Sequence, residues 1–177
     1  MAKRSILVSI LLAAMAASAS SAGPTAAQAT DAVDSQQAAP TRGLNHVGLT
    51  VRDLDASVAF FTEALHWEIA GGDRDYPSVF VTDGEIFVTL WRASDPATAT
   101  PFNRKTNIGL HHLALTVPDL ETLDEVYEIL RSFPGVEIEF APEFMGDGPT
   151  THMMVHEPSG SRIEFIVPRG RRRGEAQ

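Results

Sequence analysis

The chain has 177 residues, with 14 Lys and Arg against 23 Asp and Glu, a formal net charge of −9, and no cysteine. An acidic balance of this kind argues against nucleic acid as a partner. Without cysteine there is no disulfide framework, no thiolate nucleophile and no thiolate metal site, so histidine and carboxylates are left to carry any metal chemistry.

Lys3 and Arg4 precede an apolar run from Ile6 to Ala17 followed by small residues, the pattern of a secretory signal peptide over residues 1–29. The run is about a dozen residues long against the roughly 20 that span a bilayer, and no second apolar stretch follows. Ala17-Ser18-Ala19 and Ala27-Gln28-Ala29 both suit cleavage after a small residue. The processed chain is therefore expected in the bacterial periplasm or secreted, with no membrane anchor. Residues 30–42, rich in Ala, Gln, Ser and Asp, bury too little apolar surface to offset the entropy of ordering and read as a flexible leader.

Residues 43–168 make one domain of about 125 residues, enough for a single core without a staple. His46 to Val51 alternates Val47, Leu49 and Val51 with His46, Gly48 and Thr50, the period-two pattern of a strand. Asp53 or Asp55 then caps a helix carrying Val58, Phe61 and Leu65 at helical spacing, with His66 as a surface residue at its end. Val79 to Thr82, the Asp83-Gly84 turn and Ile86 to Trp91 read as a hairpin. A polar connection with Pro96 and Pro101 leads to a second copy of the same order. There His112 to Val117 alternates, Asp119 caps a helix with Leu120, Leu123, Tyr127 and Leu130 on one side, and Val136 to Phe140 alternates again. Thr151 to His156, a turn at Glu157-Pro158-Ser159-Gly160, and Arg162 to Val167 form a closing hairpin. Arg169, Arg171, Arg172 and Arg173 belong to a basic tail, 169–177, read as a solvated terminus.

The two halves repeat at the level of residues. Gly43-Leu44-Asn45-His46-Val47-Gly48-Leu49-Thr50-Val51-Arg52-Asp53-Leu54 returns as Gly109-Leu110-His111-His112-Leu113-Ala114-Leu115-Thr116-Val117-Pro118-Asp119-Leu120, with one histidine in the same slot of both. Two βαβββ modules, about 43–92 and 109–168, imply an α+β fold with curved mixed sheets and outer helices. When duplicated units pack symmetrically, equivalent positions meet, so His46 and His112 are natural partners for one metal ion. In the last strand, Glu164 stands alone among Ile163, Phe165, Ile166 and Val167. An unpaired buried carboxylate costs several kcal/mol, so Glu164 is expected to meet a cation, bind a metal or face solvent. Two imidazoles and one carboxylate form the facial set that holds a divalent ion with positions left open.

These paired modules, the strand openings Asn45-His46-Val47 and His111-His112-Leu113, and the segment Glu157-Pro158-Ser159-Gly160-Ser161-Arg162-Ile163-Glu164 resemble the vicinal oxygen chelate superfamily. That group includes glyoxalase I, extradiol dioxygenases, fosfomycin-resistance enzymes and bleomycin-resistance proteins. The resemblance implies a cupped barrel around one divalent ion (Fe, Mn, Zn or Ni), with ligands on the first strand of each module and the last strand of one or both. Carried over, those positions are His46, His112 and Glu164. The first module has no carboxylate in its closing strand, Ile86 to Trp91, where Thr89 is the equivalent residue, so a four-ligand site of the glyoxalase I kind is not matched. The active-site tyrosine of extradiol dioxygenases, about ten residues before the glutamate, corresponds here to Met154.

The resemblance implies a small-molecule substrate with vicinal oxygens, and leaves lyase or transferase chemistry, ring cleavage and metal-free sequestration as alternatives. A homodimer is compatible with it. His152 faces the metal side if the closing turn has a three-residue loop and the other side if it has four, and on the metal side it would serve as proton carrier. His111, adjacent to His112, is expected on the opposite face in a packing or capping role. His156, beside the turn, reads as solvated.

Overall fold

The computed structural model describes residues 40, 41 and 43–170. The signal-peptide reading, almost all of the leader and the tail from residue 171 onward lie outside the described residues. By internal contacts the chain divides into residues 1–40 and 41–177, and the fold described is that of the second unit. None of its helices is long and apolar enough to cross a membrane.

The first module runs β1 (His46–Val51), α1 (Leu54–Ala59) continued by a π-helical turn (Phe60–Ala64), β2 (Glu68–Asp73), β3 (Ser78–Thr82) and β4 (Phe87–Arg92). The second runs β5 (Leu113–Thr116), α2 (Leu120–Leu130), β6 (Glu137–Phe144), β7 (Thr151–His156) and β8 (Arg162–Val167). Each makes a four-stranded mixed sheet, ordered β1-β4-β3-β2 and β5-β8-β7-β6. The first and last strands of each module pair in parallel, with Gly48 opposite Thr89 in one and Ala114 opposite Glu164 in the other. This is the α+β fold of two βαβββ modules, with cupped sheets that do not close.

Both helices begin as the sequence requires. Asp53 accepts from the Ala56 amide at 3.0 Å and Asp119 from the Thr122 amide at 2.8 Å, each satisfying an otherwise orphaned donor. The π-helical turn brings the adjacent Phe60 and Phe61 both into the core, their rings 5.1 Å apart and edge to face. His66 ends the helix at φ 59°, an exposed left-handed residue. Strand β2 had no clear signature because every residue in it is exposed, so no apolar alternation marks it.

One core joins the modules through the helix side of both sheets. Val88 and Leu90 of β4 meet Phe60 and Phe61 there, and Leu123 and Leu130 of α2 cover Met153, Val155, Ile163 and Phe165. Phe60 also stacks edge to face on Phe133 at 6.5 Å, across the module boundary. A buried polar knot pins the same boundary. Glu157, 1% exposed, accepts from Ser57 Oγ at 2.7 Å and from the Ser159 and Ser161 amides at 3.0 Å each. Ser159 Oγ in turn accepts from the Arg52 and Asp53 amides at 3.0 Å. With helices and core on one side, the other face of each sheet is left for chemistry.

Candidate metal centre

The closing hairpin takes the three-residue loop. His156 pairs with Arg162 and Met154 with Glu164, and the Glu157 amide bonds the Ser161 carbonyl at 3.0 Å. Period-two alternation then puts His152 on the same face as Glu164. His152 Nδ1 lies 2.5 Å from Glu164 Oε1, and His112 Nε2 lies 3.1 Å from Oε2. Glu164 is 5% exposed, and its partners here are these two imidazoles, with no lysine or arginine among its ion pairs. Ala114, directly opposite on β5, is small enough to leave space over the carboxylate. Phe140 stacks on His152 with ring centroids 5.0 Å apart.

The structure thus brings His112, His152 and Glu164 together. His46, on the equivalent strand of the first module, bonds Asn45 Oδ1 through Nδ1 at 2.8 Å and lines a cavity of about 350 Å³ with Phe80, Thr89 and Trp91. Gly48 lines that cavity and also a second one of about 510 Å³ that holds His112 and Arg162. His46 therefore faces the neighbouring cavity and makes no bond to Glu164. Among the described residues no group of three or more His, Cys, Asp or Glu is already arranged around a metal position.

Proton bookkeeping nevertheless shows that this donor set suits a cation. Arg162 Nη1, which can only donate, lies 3.3 Å from His111 Nδ1, making that nitrogen an acceptor. His111 is kept below the usual imidazole range by desolvation first, then by the charges of Arg162, His112 and Arg104. His111 Nδ1 and His112 Nδ1 are 2.8 Å apart, which leaves His112 Nε2 to face a carboxylate oxygen of Glu164 3.1 Å away. A proton or a metal ion fits between that nitrogen and that oxygen. The residues present fit a divalent ion.

Two assignments change. His111 does not sit on the opposite face, because β5 begins only at Leu113 and strand alternation does not reach it; it holds Arg162 and His112 instead. His156 is half-buried, not solvated, with Nε2 3.1 Å from Glu139 Oε2 and Nδ1 3.1 Å from the Gly160 carbonyl. Thr89, which occupies the place of Glu164 in the first module, hydrogen-bonds Trp91 Nε1 at 2.9 Å and is packed under it.

Sequence reasoning also passed over Glu139. A bulge in β6 breaks the alternation, so the adjacent Glu139 and Phe140 both reach the β7 side chains His156 and His152. Arg162 donates to Glu139 at 2.7 and 3.1 Å, and Arg104 pairs with it at 3.0 Å. The hydrogen bond from Arg162 foremost holds the Glu139 carboxyl below its ordinary range. A carboxyl depressed in the folded state stabilises the fold fully above its unfolded pKa, about 4.3, and that stability is lost as pH falls through the lower folded value. Glu139→Gln should therefore cost about 2 kcal/mol near neutral pH, because buried Arg162 loses its counter-charge. The gap to wild type should narrow as pH falls below about 4.3 and close only below the lower folded value. Urea melts at pH 7 and 3.5 check both parts.

Residues 43–165 match the family described as the Glyoxalase/Bleomycin resistance protein/Dioxygenase superfamily. The chain belongs to that superfamily. A curated relative from Actinomyces sp, named 2-epi-5-epi-valiolone epimerase, is 32% identical over 154 residues, which cover 72% of this chain and 80% of the relative. Among solved structures, a glyoxylase/bleomycin resistance protein/dioxygenase domain from Frankia sp. EAN1pec is similar with a TM-score of 0.63 and 26% identity, covering 73% of this chain and 99% of that one. The genomically encoded fosfomycin resistance protein of Listeria monocytogenes shares the fold at 18% identity and a TM-score of 0.57, over 72% and 93% of the two chains. Proteins of the Glyoxalase/Bleomycin resistance protein/Dioxygenase superfamily bind small molecules, commonly use divalent metals and often dimerise.

Proposed function

We propose that this superfamily member is an exported, divalent-metal-dependent enzyme that moves a proton on a small substrate with two adjacent oxygens, without a redox change. The observation that carries this reading is the buried Glu164 held between two imidazoles. His112 and Glu164 would hold the ion, with His46 from the first module as the third donor. When bound, the ion acts as a Lewis acid toward oxygens adjacent to the reacting carbon.

His152 fits the role of proton carrier. With Nδ1 engaged by Glu164, its Nε2 is the nitrogen left to take a proton from substrate and return it. The ring is held against Phe140, and its side chain keeps 14% exposure, so a proton it takes from substrate can exchange with solvent before it is returned. The aromatic wall of Phe80 and Trp91 around His46 would cover an apolar part of the substrate. The epimerase relative supports proton transfer, because epimerisation removes and restores a proton at one carbon. Met154, opposite Glu164 at the place of the extradiol tyrosine, disfavours ring cleavage.

The test is proton exchange. Metal-loaded protein in deuterium oxide, given cyclic polyhydroxy ketones, should wash deuterium into the carbon beside the carbonyl. His152→Ala should slow exchange by about a hundredfold when metal is supplied at saturating concentration. Rapid oxygen-dependent cleavage of catechols by the ferrous protein would overturn the non-redox reading. Tight binding that survives chelator, without turnover, would instead mark a sequestering protein.

A further inference from the structure

The same face of the second sheet carries an unusual surplus of positive charge. Arg162, 6% exposed, stands two residues before Glu164 on β8, hence about 7 Å along the strand and on the same side. Its Nε and Nη2 take Glu139, while Nη1 reaches only His111 Nδ1 and the His111 carbonyl, at 3.3 and 3.4 Å. Among the described residues Glu139 is the single carboxylate paired with these two guanidinium groups and the His156 imidazole. Two guanidinium groups bring about ten N–H donors against about four acceptor sites on one carboxylate, so donors are left over. Lys105 adds a charge with no ion-pair partner among the described residues. Counting His156 as neutral, two positive charges remain uncompensated in a chain that is otherwise acidic.

These groups surround a hollow. Arg104, Lys105, His156 and Arg162 line a cavity of about 280 Å³ with Phe102 and Asn103. Phe102 and Arg162 also line the 510 Å³ cavity that contains His112. The two cavities therefore adjoin along Arg162, one holding surplus donors and the other a proposed metal-binding histidine. A dianion matches the two uncompensated charges, and a tetrahedral phosphate offers acceptors to the N–H groups that Arg104 keeps outside its two contacts with Glu139 and to the point charge of Lys105.

We infer that this cavity is an anion subsite that binds a phosphate monoester carried by the substrate, with the reacting oxygens toward His112 and Glu164. The inference rests on the proposed function for the position of the reacting end, but the subsite can be tested alone. Inorganic phosphate titrated calorimetrically into the full chain should bind with a dissociation constant on the order of 1 mM, and acetate more weakly. The double variant Arg104→Ala, Lys105→Ala should weaken phosphate at least about tenfold, the loss of one or more charge-assisted hydrogen bonds. Arg104→Lys with Lys105→Arg should retain most of the binding. Matching thermal melts of the two double variants establish that both fold. Equal phosphate affinity in wild type and the alanine variant overturns the subsite, as does acetate binding as tightly as phosphate.

Metal content separates this result from the proposed function. It should be the same in wild type and both double variants, since neither residue is a proposed ligand. A wild type that takes up no metal would remove the enzymatic reading and leave the phosphate measurement standing.

Discussion

Glu164→Ala should lower affinity for a divalent ion at least about a hundredfold, more than the loss of an outer partner of a metal ligand costs. His112→Ala should do the same, and His46→Ala reports whether the first module supplies the third donor. Plasma mass spectrometry of protein dialysed against limiting metal reads all three. The apparent stability in chelator then separates a metal site from an ordinary ion pair. If Glu164 were a structural partner of His112 and His152, its removal would cost about 3 to 5 kcal/mol, as for any broken buried pair. A large loss of stability with unchanged metal content would refute the site.

Glu157→Ala should be the most destabilising substitution in the second module. Its carboxylate is 1% exposed and satisfies one hydroxyl and two amides, including Ser57 from the other module. Truncation takes the acceptor from the buried Ser57 hydroxyl and from two part-buried amides and opens a void, a cost of about 3 kcal/mol. For a domain of this size that corresponds to a fall of about 10 °C in melting temperature. Metal content should be unchanged, because Glu157 lies at the hairpin turn and not on the Glu164 face. Ser57→Ala, which removes one of the three donors, should cost about 1 kcal/mol. Loss of metal with preserved stability in Glu157→Ala would show that the knot serves the site and not the module boundary.

Much of this architecture was legible because it depends on local patterns. Period-two alternation marked β1, β5 and the start of β6, turn residues marked the hairpin that ends in β8, aspartates marked both helix starts, and the repeat announced two modules of the same order. The position of His152 depended on one turn, and the sequence alone could not choose between loop lengths that put it on opposite faces. Other features depended on contacts distant in sequence. Glu157 read as a turn residue, since nothing local reveals that Ser57, a hundred positions earlier, closes over it. The charge cluster was hidden in the same way: Glu139 lies in a bulge, and Arg104 reaches it from a connection without regular structure. His111 was misplaced because alternation was extended two residues ahead of the strand.

The asymmetry at Thr89 bears on how the duplicated scaffold can change. Opposite it, Gly48 is a tight fit: a Cβ there would lie 3.3 Å from Thr89 Oγ1, which would have to yield by a few tenths of an ångström, and in ordinary contact with Trp91 Nε1 at 3.6 Å. Ala114, at the same place in the second module, already carries that carbon beside Glu164. One half has filled the position with an indole and a hydroxyl, and the other has kept it for a carboxylate. Drift in the aromatic wall would then alter which molecules are admitted while the charged half stays fixed, so a lineage could acquire new substrates by changing Phe80, Phe87 or Trp91 alone.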